Sequence, residues 1–409
     1  MDRPRALAVI TDLPFPPRSG NHLRDLQTLT VLDELGFDVS VVAGDHRPGA
    51  GRGVGPRARL VGQTKIEPEA TTSAARARRL LRLTWAALRS GCPGPWALPY
   101  VDAGLPALVA GAIDEVHPDV LVLRSTLAHL ASRFRPSVET LVLDVHDAES
   151  FLARSLLSLS GFFPSLAGRV RLAAARRSEA LIPIADEIWA PSPREAAHLR
   201  RLADGRPVLV VPNGVAVPDD PPAGAPRRPE LLFVGGFGYP PNEAAATRLV
   251  EEILPLVLRT HPSVTVHLIG RDLRAELRDR WQGLPVLWHG VVDDLTTFYE
   301  QSTALVLAYD PSTDAGTPLK VAEALARGLP VVATQNATQD LGLEHGVHVL
   351  NADDANSLAS SIRRLLDDPE SAFALALRGQ AWARATLDPE AIAQTLRASS
   401  CLAATARAR

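Results

Sequence analysis

Short runs of apolar residues alternate along this chain with longer segments in which leucines recur at helical spacing. Residues 6–12 form such an apolar run, residues 21–36 carry leucines three or four positions apart, and residues 38–43 form a second apolar run. Apolar runs without polar alternation are typical of strands buried on both faces, whereas a spacing of three or four residues is typical of a helix. The beginning of the chain therefore predicts a strand–helix–strand unit of a parallel sheet.

The same alternation continues in two series. The first series predicts further strands at residues 119–123, 140–145, 187–190 and 208–211. The second predicts strands at residues 231–234, 265–269, 286–288, 304–308, 330–333 and 348–350, with helices such as 242–260 and 318–327 between them. Each series predicts a doubly wound, Rossmann-like α/β half.

A stretch rich in proline, glycine and aspartate separates the two series. We predict an amino-terminal domain at residues 1–211, a linker at 212–229, a carboxyl-terminal domain at 230–388 and a final helix at 389–409. Ligands of open α/β sheets bind at the carboxyl ends of the strands, and two facing domains make a cleft. Functional residues are therefore expected in loops that directly follow strands.

The composition excludes several classes of protein. The 409 residues include 43 basic and 46 acidic ones, and the net charge of −3 gives no reason to expect a nucleic-acid partner. Two cysteines cannot build a disulfide framework or a four-cysteine zinc site. No apolar run approaches the ~20 residues of a membrane span, and the five apolar residues before Thr11 are typical of a strand rather than a signal peptide. We expect a reduced, cytoplasmic protein.

Lysine is rare in this chain, which has only Lys65 and Lys320 beside 41 arginines. Lys320 follows a predicted strand and a loop containing Gly316, and Thr317 and Pro318 suit the N-cap and the first position of a helix. A cation in the first turn opposes the helix dipole by ~0.3–1 kcal/mol, whereas backbone N–H groups together with a lysine make a phosphate site. The pattern therefore predicts that Lys320 binds a phosphate group.

Glu323 lies one helical turn after Lys320, on the same face, where its carboxylate can accept hydrogen bonds from hydroxyl groups of a ligand. The alternative is an exposed ion pair between Lys320 and Glu323, which would stabilise the protein little. The rarity of lysine favours the functional interpretation.

Two loops of the amino-terminal half also follow predicted strands. Gly20 and Arg24 stand where a loop turns into a helix, so that a bound anion would be stabilised there, unless the loop is a plain N-capped connection. His146 follows the strand at 140–145 and could hydrogen-bond or orient a substrate, although a lone histidine can equally be structural.

In the carboxyl-terminal half, glycines follow two strands. Gly235 and Gly236 allow a ligand to approach the backbone closely, and Gly270 with Arg271 closes the next strand in the same way; the alternative is tight turns only. The paired acidic residues lack a metal-ligand spacing, and neither a nucleotide-binding P-loop, a dinucleotide fingerprint nor a serine-nucleophile elbow is present. We predict no metal and no resident cofactor.

Two further stretches concern partners. Residues 76–89 form a basic amphipathic helix that could touch an anionic membrane, although we favour an ordinary solvated helix packed on the sheet. Residues 151–166 are apolar and either line an acceptor pocket or belong to the core.

Taken together, these loops resemble those of a retaining glycosyltransferase of the GT-B fold, in glycosyltransferase family 4, over nearly the whole chain. Residues 316–334 resemble the family's donor-binding segment, in which the glutamate of a Glu-Ala pair binds the nucleotide ribose; that role falls on Glu323, and Lys320 matches a position near the diphosphate. Residues 17–20 with Arg24 resemble the loop near donor phosphate and acceptor, and residues 144–147 resemble the motif whose histidine faces the donor sugar.

The resemblance implies transfer of a hexose-type sugar from a nucleoside diphosphate sugar, with UDP rather than GDP as the nucleotide, to an acceptor hydroxyl. Retention of configuration without a metal is implied as well, and the final helix is expected to cross back to the amino-terminal domain. The implied catalytic residues are His146, Lys320 and Glu323. The implied donor-binding residues are Gly20, Arg24, Gly235, Gly236, Gly270, Arg271, Val292, Gly316, Thr317, Pro318, Leu319, Lys320 and Glu323.

The chain departs from the family pattern at two places. Ala315, beside Asp314, stands where the family often has a glutamate, and residues 235–242 lack the common arginine and lysine, so Lys320 is expected to carry more of the diphosphate charge. Two alternatives stay open: another GT-B enzyme, such as a sugar-nucleotide epimerase or phosphorylase, and a non-catalytic GT-B partner subunit. The acceptor (a small metabolite, a glycan or a lipid carrier) and the oligomeric state are also open.

Overall fold

The computed structural model describes residues 3–15, 20–45, 53–65, 103–148, 150–151, 166–222, 228–311, 319–399, 401–402 and 405. The predicted basic helix at 76–89, most of the apolar stretch at 151–166, and Ala315 with Gly316, Thr317 and Pro318 lie outside these residues. The chain divides into two compact units, one formed by Met1–Gly214 with Pro389–Arg409 and the other by Val215–Asp388.

Within the described residues, the strands of the amino-terminal unit are β1 (Arg5–Ile10), β2 (Asp38–Asp45), β3 (Arg59–Lys65), β4 (Val120–Arg124), β5 (Thr140–Asp144), β6 (Glu187–Ala190) and β7 (Val208–Val210). Those of the carboxyl-terminal unit are β8 (Glu230–Val234), β9 (Thr265–Ile269), β10 (Val286–Trp288), β11 (Ala304–Leu307), β12 (Val331–Ala333) and β13 (Leu350–Asn351).

The helices, in chain order, are α1 (Gly20–Glu34), α2 (Leu105–Val116), α3 (Ala131–Phe134), α4 (Leu166–Glu179), α5 (Pro193–Arg200), α6 (Pro240–Arg248), α7 (Leu254–Leu258), α8 (Ala275–Arg280), α9 (Thr296–Gln301), α10 (Leu319–Ala326), α11 (Ala355–Asp367), α12 (Pro369–Thr386) and α13 (Pro389–Ser399). Shorter 3₁₀ segments lie at Ser125–Leu130, Arg135–Ser137, Ile182–Ile184, Gln335–Ala337 and Gln339–Leu341. None of the helices in this part of the chain combines the length and apolar character that a membrane span requires.

The two sheets share one strand order over six strands, and the amino-terminal sheet has β7 as a seventh strand. Their strand orders are β3-β2-β1-β4-β5-β6-β7 and β10-β9-β8-β11-β12-β13, and neighbouring strands are parallel throughout. The prediction of two Rossmann-like doubly wound halves is therefore confirmed. In such sheets ligands bind where the strand order reverses, which here is between β1 and β4 in one unit and between β8 and β11 in the other.

The central strands of both sheets are buried in the core, as their continuous apolar sequences predict. Each of the central strands β1, β4, β5 and β11 is buried along almost its whole length, because helices cover both faces of its sheet. Helix α13 belongs to the amino-terminal unit, where Ile392, Ala393 and Leu396 are buried in a cluster that also contains Leu32 and Trp189.

Two elements differ from the sequence-based expectation. The strand β3 was not predicted, because it is an edge strand with a polar and glycine-containing sequence; its pairing with β2 shifts register between Val41 and Val42. The predicted single helix at 242–260 is interrupted between α6 and α7 by a π-helical turn at Leu249–Ile253. Pro255 has no N–H group to donate to the residue four positions earlier, and a wider turn accommodates that loss.

Candidate active site

The loops after β8 and β9 contact each other backbone to backbone. The N–H group of Gly235 donates to the carbonyl oxygen of Ile269 at 2.9 Å. A β-carbon on Gly270 would lie 1.8 Å from the carbonyl oxygen of Gly235, and Gly270 has a φ of +145°. Only a residue without a side chain fits at position 270. Because β8 and β9 are parallel neighbours, both predicted glycine loops lie at the same carboxyl edge of the sheet.

The amino group of Lys320 lies at this edge, beside the switch point between β8 and β11. It donates to Oδ1 of Asn242 at 2.9 Å and to the hydroxyl oxygen of Tyr309 at 3.0 Å. The Tyr309 hydroxyl in turn donates to Asn242 Oδ1 at 2.7 Å, and Asn242 Nδ2 donates to the carbonyl oxygen of Gly236 at 2.9 Å. A β-carbon on Gly235 would be 2.9 Å from Lys320 Nζ, so the amino group lies directly against the glycine backbone.

Among the described residues, the hydrogen-bond partners of this amino group are neutral. The rings of Phe233 and Tyr309 lie 5.2 Å and 5.6 Å from Nζ, and no carboxylate of the described residues lies within ion-pairing distance of it. Burial lowers the pKa of Lys320 to about 7, against a smaller opposing effect of Glu323. A bound anion would supply a negative charge that no described residue places within hydrogen-bonding distance of this amino group.

An exposed cation, Arg271, lies on the other side of the glycine loop. A β-carbon on Gly236 would be 3.9 Å from Arg271 Nε, and the guanidinium forms a 3.5 Å ion pair with its exposed neighbour Asp272. The N–H group of Gly270 donates to Gly290 at 2.7 Å, which ties the loop before Val292 to the same place. The structure thus brings together Gly235, Gly236, Gly270, Arg271 and Lys320.

Glu323 lies one turn beyond Lys320 on α10, as expected. The hydroxyl of buried Tyr299 donates to Glu323 Oε2 at 3.0 Å, and burial raises the pKa of Glu323. Its other carboxylate oxygen has no hydrogen-bond partner in the described part of the chain and can accept one from a ligand. Val292 and Leu319 are half-buried and pack against the core of this unit.

In the amino-terminal unit, Arg24 takes a different place from the one predicted. Gly20 is the exposed first residue of α1, at the loop-to-helix transition that was predicted, whereas Arg24 is only 2% exposed. The Arg24 guanidinium donates to Asp144 Oδ1 at 2.6 Å and 3.1 Å and to the carbonyl oxygens of Val211 and Pro212 at 2.5 Å and 2.9 Å. These contacts hold α1 to β5 and to the segment after β7. The Arg24 guanidinium is therefore engaged by groups of the protein and is not part of the candidate donor site.

His146 lies in the same buried cluster, at the carboxyl ends of β1, β4 and β5. Its Nε2 atom is 3.3 Å from Asp25 Oδ1 and 3.7 Å from Asp144 Oδ2, while Nδ1 is buried without a hydrogen-bond partner in the described chain. Burial, with a contribution from the Arg124 guanidinium, lowers the pKa of His146 to about 3. The imidazole is therefore neutral near pH 7, with one ring nitrogen facing carboxylates and the other available.

Several residues of both clusters were not predicted from the sequence. The helix was predicted to begin at residue 242, but α6 begins two residues earlier because its two prolines suit the first helical positions. The Asn242 side chain is then inside the first turn, where its oxygen accepts a hydrogen bond from Lys320. Tyr309 directly follows the residues predicted as a strand, and Arg124 is the last residue of β4. A polar side chain at the end of an apolar strand is the sequence feature from which both residues could have been predicted. The roles of Asp25 and Asp144 could be identified only from the tertiary structure, because their partners are distant in sequence.

Metal ions find no ready ligand set in this part of the chain. The described residues contain no group of three or more His, Cys, Asp or Glu side chains that could hold one.

Comparison with known proteins agrees with this architecture. Residues 228–368 match the family model described as Glycosyl transferases group 1, whereas no curated protein matches the sequence of this chain. The solved sucrose-phosphate synthase from Thermosynechococcus elongatus is 18% identical, with a TM-score of 0.66 over 96% of this chain and 97% of that chain. HepE of Anabaena in complex with UDP-glucose is 16% identical, with a TM-score of 0.60 over 99% of this chain and 100% of that chain.

A glycosyltransferase from Rickettsia africae is similar as well, at 12% identity and a TM-score of 0.57 over 96% of each chain. At such identities the likeness shows the fold. The chain thus has the two-sheet GT-B fold of glycosyltransferases, and the match to the Glycosyl transferases group 1 model lies in its carboxyl-terminal unit.

Proposed function

We propose that this protein transfers a hexose-type sugar from UDP-sugar to an acceptor hydroxyl with retention of configuration, in the cytoplasm and without a metal. The observation that carries the proposal is the Lys320 amino group, whose hydrogen-bond partners among the described residues are neutral and which lies against the Gly235 backbone at the switch point of the carboxyl-terminal sheet. The solved complexes of HepE with UDP and with UDP-glucose support UDP as the nucleotide.

In this mechanism the leaving diphosphate gains negative charge as the glycosidic bond breaks. Lys320, Arg271 and backbone N–H groups stabilise that charge, and they do so most strongly in a site from which water is excluded. Glu323 accepts hydrogen bonds from the ribose hydroxyls, His146 contacts the donor sugar, and the acceptor proton leaves with the diphosphate.

The test is calorimetric titration with a panel of nucleotide sugars, followed by turnover assays with candidate acceptors. We expect UDP-glucose to bind, and Lys320→Ala and Glu323→Ala to weaken binding. Lys65→Ala is the matched control, because Lys65 is the other lysine of the chain and ends an edge strand of the other unit. Binding of UDP-glucose at wild-type affinity by both site variants would contradict the assignment.

The same assays separate the proposal from its alternatives. Consumption of the donor without added acceptor would indicate an epimerase or a phosphorylase. Donor binding without turnover by the protein alone, followed by turnover once a partner subunit is added, would indicate a non-catalytic partner.

A further inference from the structure

The imidazole of His146 is held between two acidic side chains and has one unused nitrogen. Nε2 faces Asp25 Oδ1 at 3.3 Å and Asp144 Oδ2 at 3.7 Å, and Nδ1 is buried and unpartnered among the described residues. A neutral imidazole carries its proton on one nitrogen, and a hydrogen bond to one nitrogen decides the role of the other. The side of the ring that faces the carboxylates therefore determines what Nδ1 can do.

Of the two carboxylates, Asp144 is the more fully engaged elsewhere. Its Oδ1 accepts two hydrogen bonds from Arg24 at 2.6 Å and 3.1 Å, and its Oδ2 accepts one from Thr28 at 2.6 Å. Burial raises the pKa of Asp144, but Arg24 and the contact with His146 outweigh burial and hold the pKa below its usual value. Asp144 stays ionised as the partner of Arg24, and Asp25, at 3.3 Å against 3.7 Å for Asp144, is the closer carboxylate to Nε2 of the imidazole.

From this geometry we propose that Asp25 is a positioning residue that holds His146 as the Nε2–H tautomer and leaves Nδ1 to accept a hydrogen bond from a substrate hydroxyl. The inference rests on the proposed function for the identity of that substrate. The tautomer itself depends on the fold of the amino-terminal unit alone. An accepting Nδ1 suits a hydroxyl of the donor sugar or of the acceptor, since either can donate.

Uptake of a proton by the Asp25–His146 pair reverses this arrangement. If the proton is taken up by Asp25, its carboxyl group donates to Nε2 and the ring proton must sit on Nδ1; if it is taken up by His146, both nitrogens carry protons. In either case Nδ1 becomes a donor and can no longer accept. Burial raises the pKa of Asp25 to about 7 against the opposing effect of Arg124, so this change falls near neutrality.

The charged groups around the pair set this balance from every neighbouring element. Arg124 Nη1 lies 3.5 Å from Asp25 Oδ2 and favours the carboxylate, whereas two nearby aspartates favour its protonated form. The groups concerned are Arg24, Arg124, Asp12 and Asp144. These groups are buried or lie at the ends of strands, so the protonation equilibrium of the Asp25–His146 pair depends on the native fold.

The first measurement is the tautomer of His146 in the wild-type protein, without ligand, from the ring ¹⁵N shifts between pH 5.5 and 8.5. The His146→Gln variant identifies the signals by their loss. At pH 8.5 we expect an unprotonated Nδ1 and a protonated Nε2, with Nδ1 becoming protonated as the pH falls through about 7. A protonated Nδ1 at pH 8.5 would overturn the proposal, whether or not the protein shows transferase activity.

The second measurement is the pH profile of kcat for Asp25→Asn, beside Asp33→Asn as the control on the exposed side of the same helix. We expect Asp25→Asn to lower kcat by about 10-fold to 100-fold with little change in the KM for the donor, and to remove the decline of kcat below pH 7. A decline of the same midpoint in Asp25→Asn would contradict the role of Asp25. Absence of any wild-type turnover would contradict the proposed function and leave the tautomer measurement decisive for Asp25.

Discussion

The amino group of Lys320 donates a hydrogen bond to the side-chain oxygen of Asn242 at 2.9 Å. Asn242 is 78 positions earlier in the chain, and its other amide atom binds the carbonyl oxygen of Gly236. One asparagine therefore joins the lysine of α10 to the glycine loop after β8, and this connection places a cation beside backbone that a ligand can approach closely.

Binding of UDP-glucose is expected to take up a proton. Because the pKa of Lys320 is about 7, about half of the amino groups are unprotonated at pH 7, and a bound diphosphate raises the pKa by favouring the charged form. We predict uptake of about half a proton per UDP-glucose at pH 7. Affinity should be constant at low pH and fall as the pH rises above 7.

Calorimetry in two buffers of different ionisation enthalpy measures this uptake. UDP-glucose is the right probe because both of its phosphates are esterified and neither titrates near pH 7. The matched variant is Lys320→Arg, which keeps the charge but cannot lose it, so binding should proceed without proton uptake. Equal uptake by wild type and Lys320→Arg would place the titrating group elsewhere.

Glu323 is predicted to accept a hydrogen bond from the 2′-hydroxyl of the nucleotide ribose. Wild-type protein should bind UDP more tightly than 2′-deoxy-UDP, by about 10-fold to 100-fold, because a hydrogen bond to a charged group contributes about 1.5–3 kcal/mol. In Glu323→Ala this preference should vanish, because the accepting carboxylate is gone. Glu252→Ala, an exposed helix glutamate of the same unit, is the control; a preference that survives in Glu323→Ala would mean that another group contacts the 2′-hydroxyl.

Gly270→Ala should unfold or strongly destabilise the carboxyl-terminal unit. The new β-carbon would lie 1.8 Å from the carbonyl oxygen of Gly235, so the loops after β8 and β9 would have to separate. Gly342→Ala is the matched control, since Gly342 also has a positive φ, of +72°, but no atom within 4 Å of its β-carbon position. The control should cost only ~1–2 kcal/mol, the backbone strain alone. Urea denaturation measures both, and equal losses would contradict the close contact.

Arg24→Ala should cost far more stability than an exposed arginine variant. It would leave Asp144 buried and charged without its partner, at a cost of about 3–5 kcal/mol. Arg3→Ala breaks an exposed pair with Asp33 and should cost about 0–1 kcal/mol. Chemical denaturation of the two variants gives the comparison, and a loss below 1 kcal/mol for Arg24→Ala would mean that the buried pair is dispensable.

The architecture could be predicted because burial on both faces of a sheet leaves a local signature. The apolar strands and the helices between them are visible as runs and periods, and the two predicted Rossmann-like halves are confirmed. The edge strand β3 lacks that signature, since only part of it is buried and it contains Gly62. The π-helical turn also escaped prediction, because its cause, Pro255, lies within an otherwise helical pattern.

The candidate site could be predicted only in part. Lys320 could be predicted as a site residue because lysine is rare in this chain, and the glycines could be predicted because they follow strands. Nothing local distinguishes Arg24, which satisfies its charge with Asp144, a residue 120 positions away, from an arginine that awaits an anion. The roles of Lys320, Glu323 and His146 in donor binding and transfer stay predictions, and Gly316, Thr317 and Pro318 lie outside the residues that the structure describes.

The shared strand order of the two sheets has an electrostatic consequence. At the reversal point of the amino-terminal sheet, Arg24 and Arg124 form ion pairs with Asp144 and Asp25, so much of the arginine charge is neutralised inside the protein and attracts a distant anion only weakly. At the corresponding point of the carboxyl-terminal sheet, Lys320 has no such counter-charge in the described chain. Of the two reversal points in the described part of the chain, the carboxyl-terminal one is therefore where a positive charge is left to attract a polyanionic ligand.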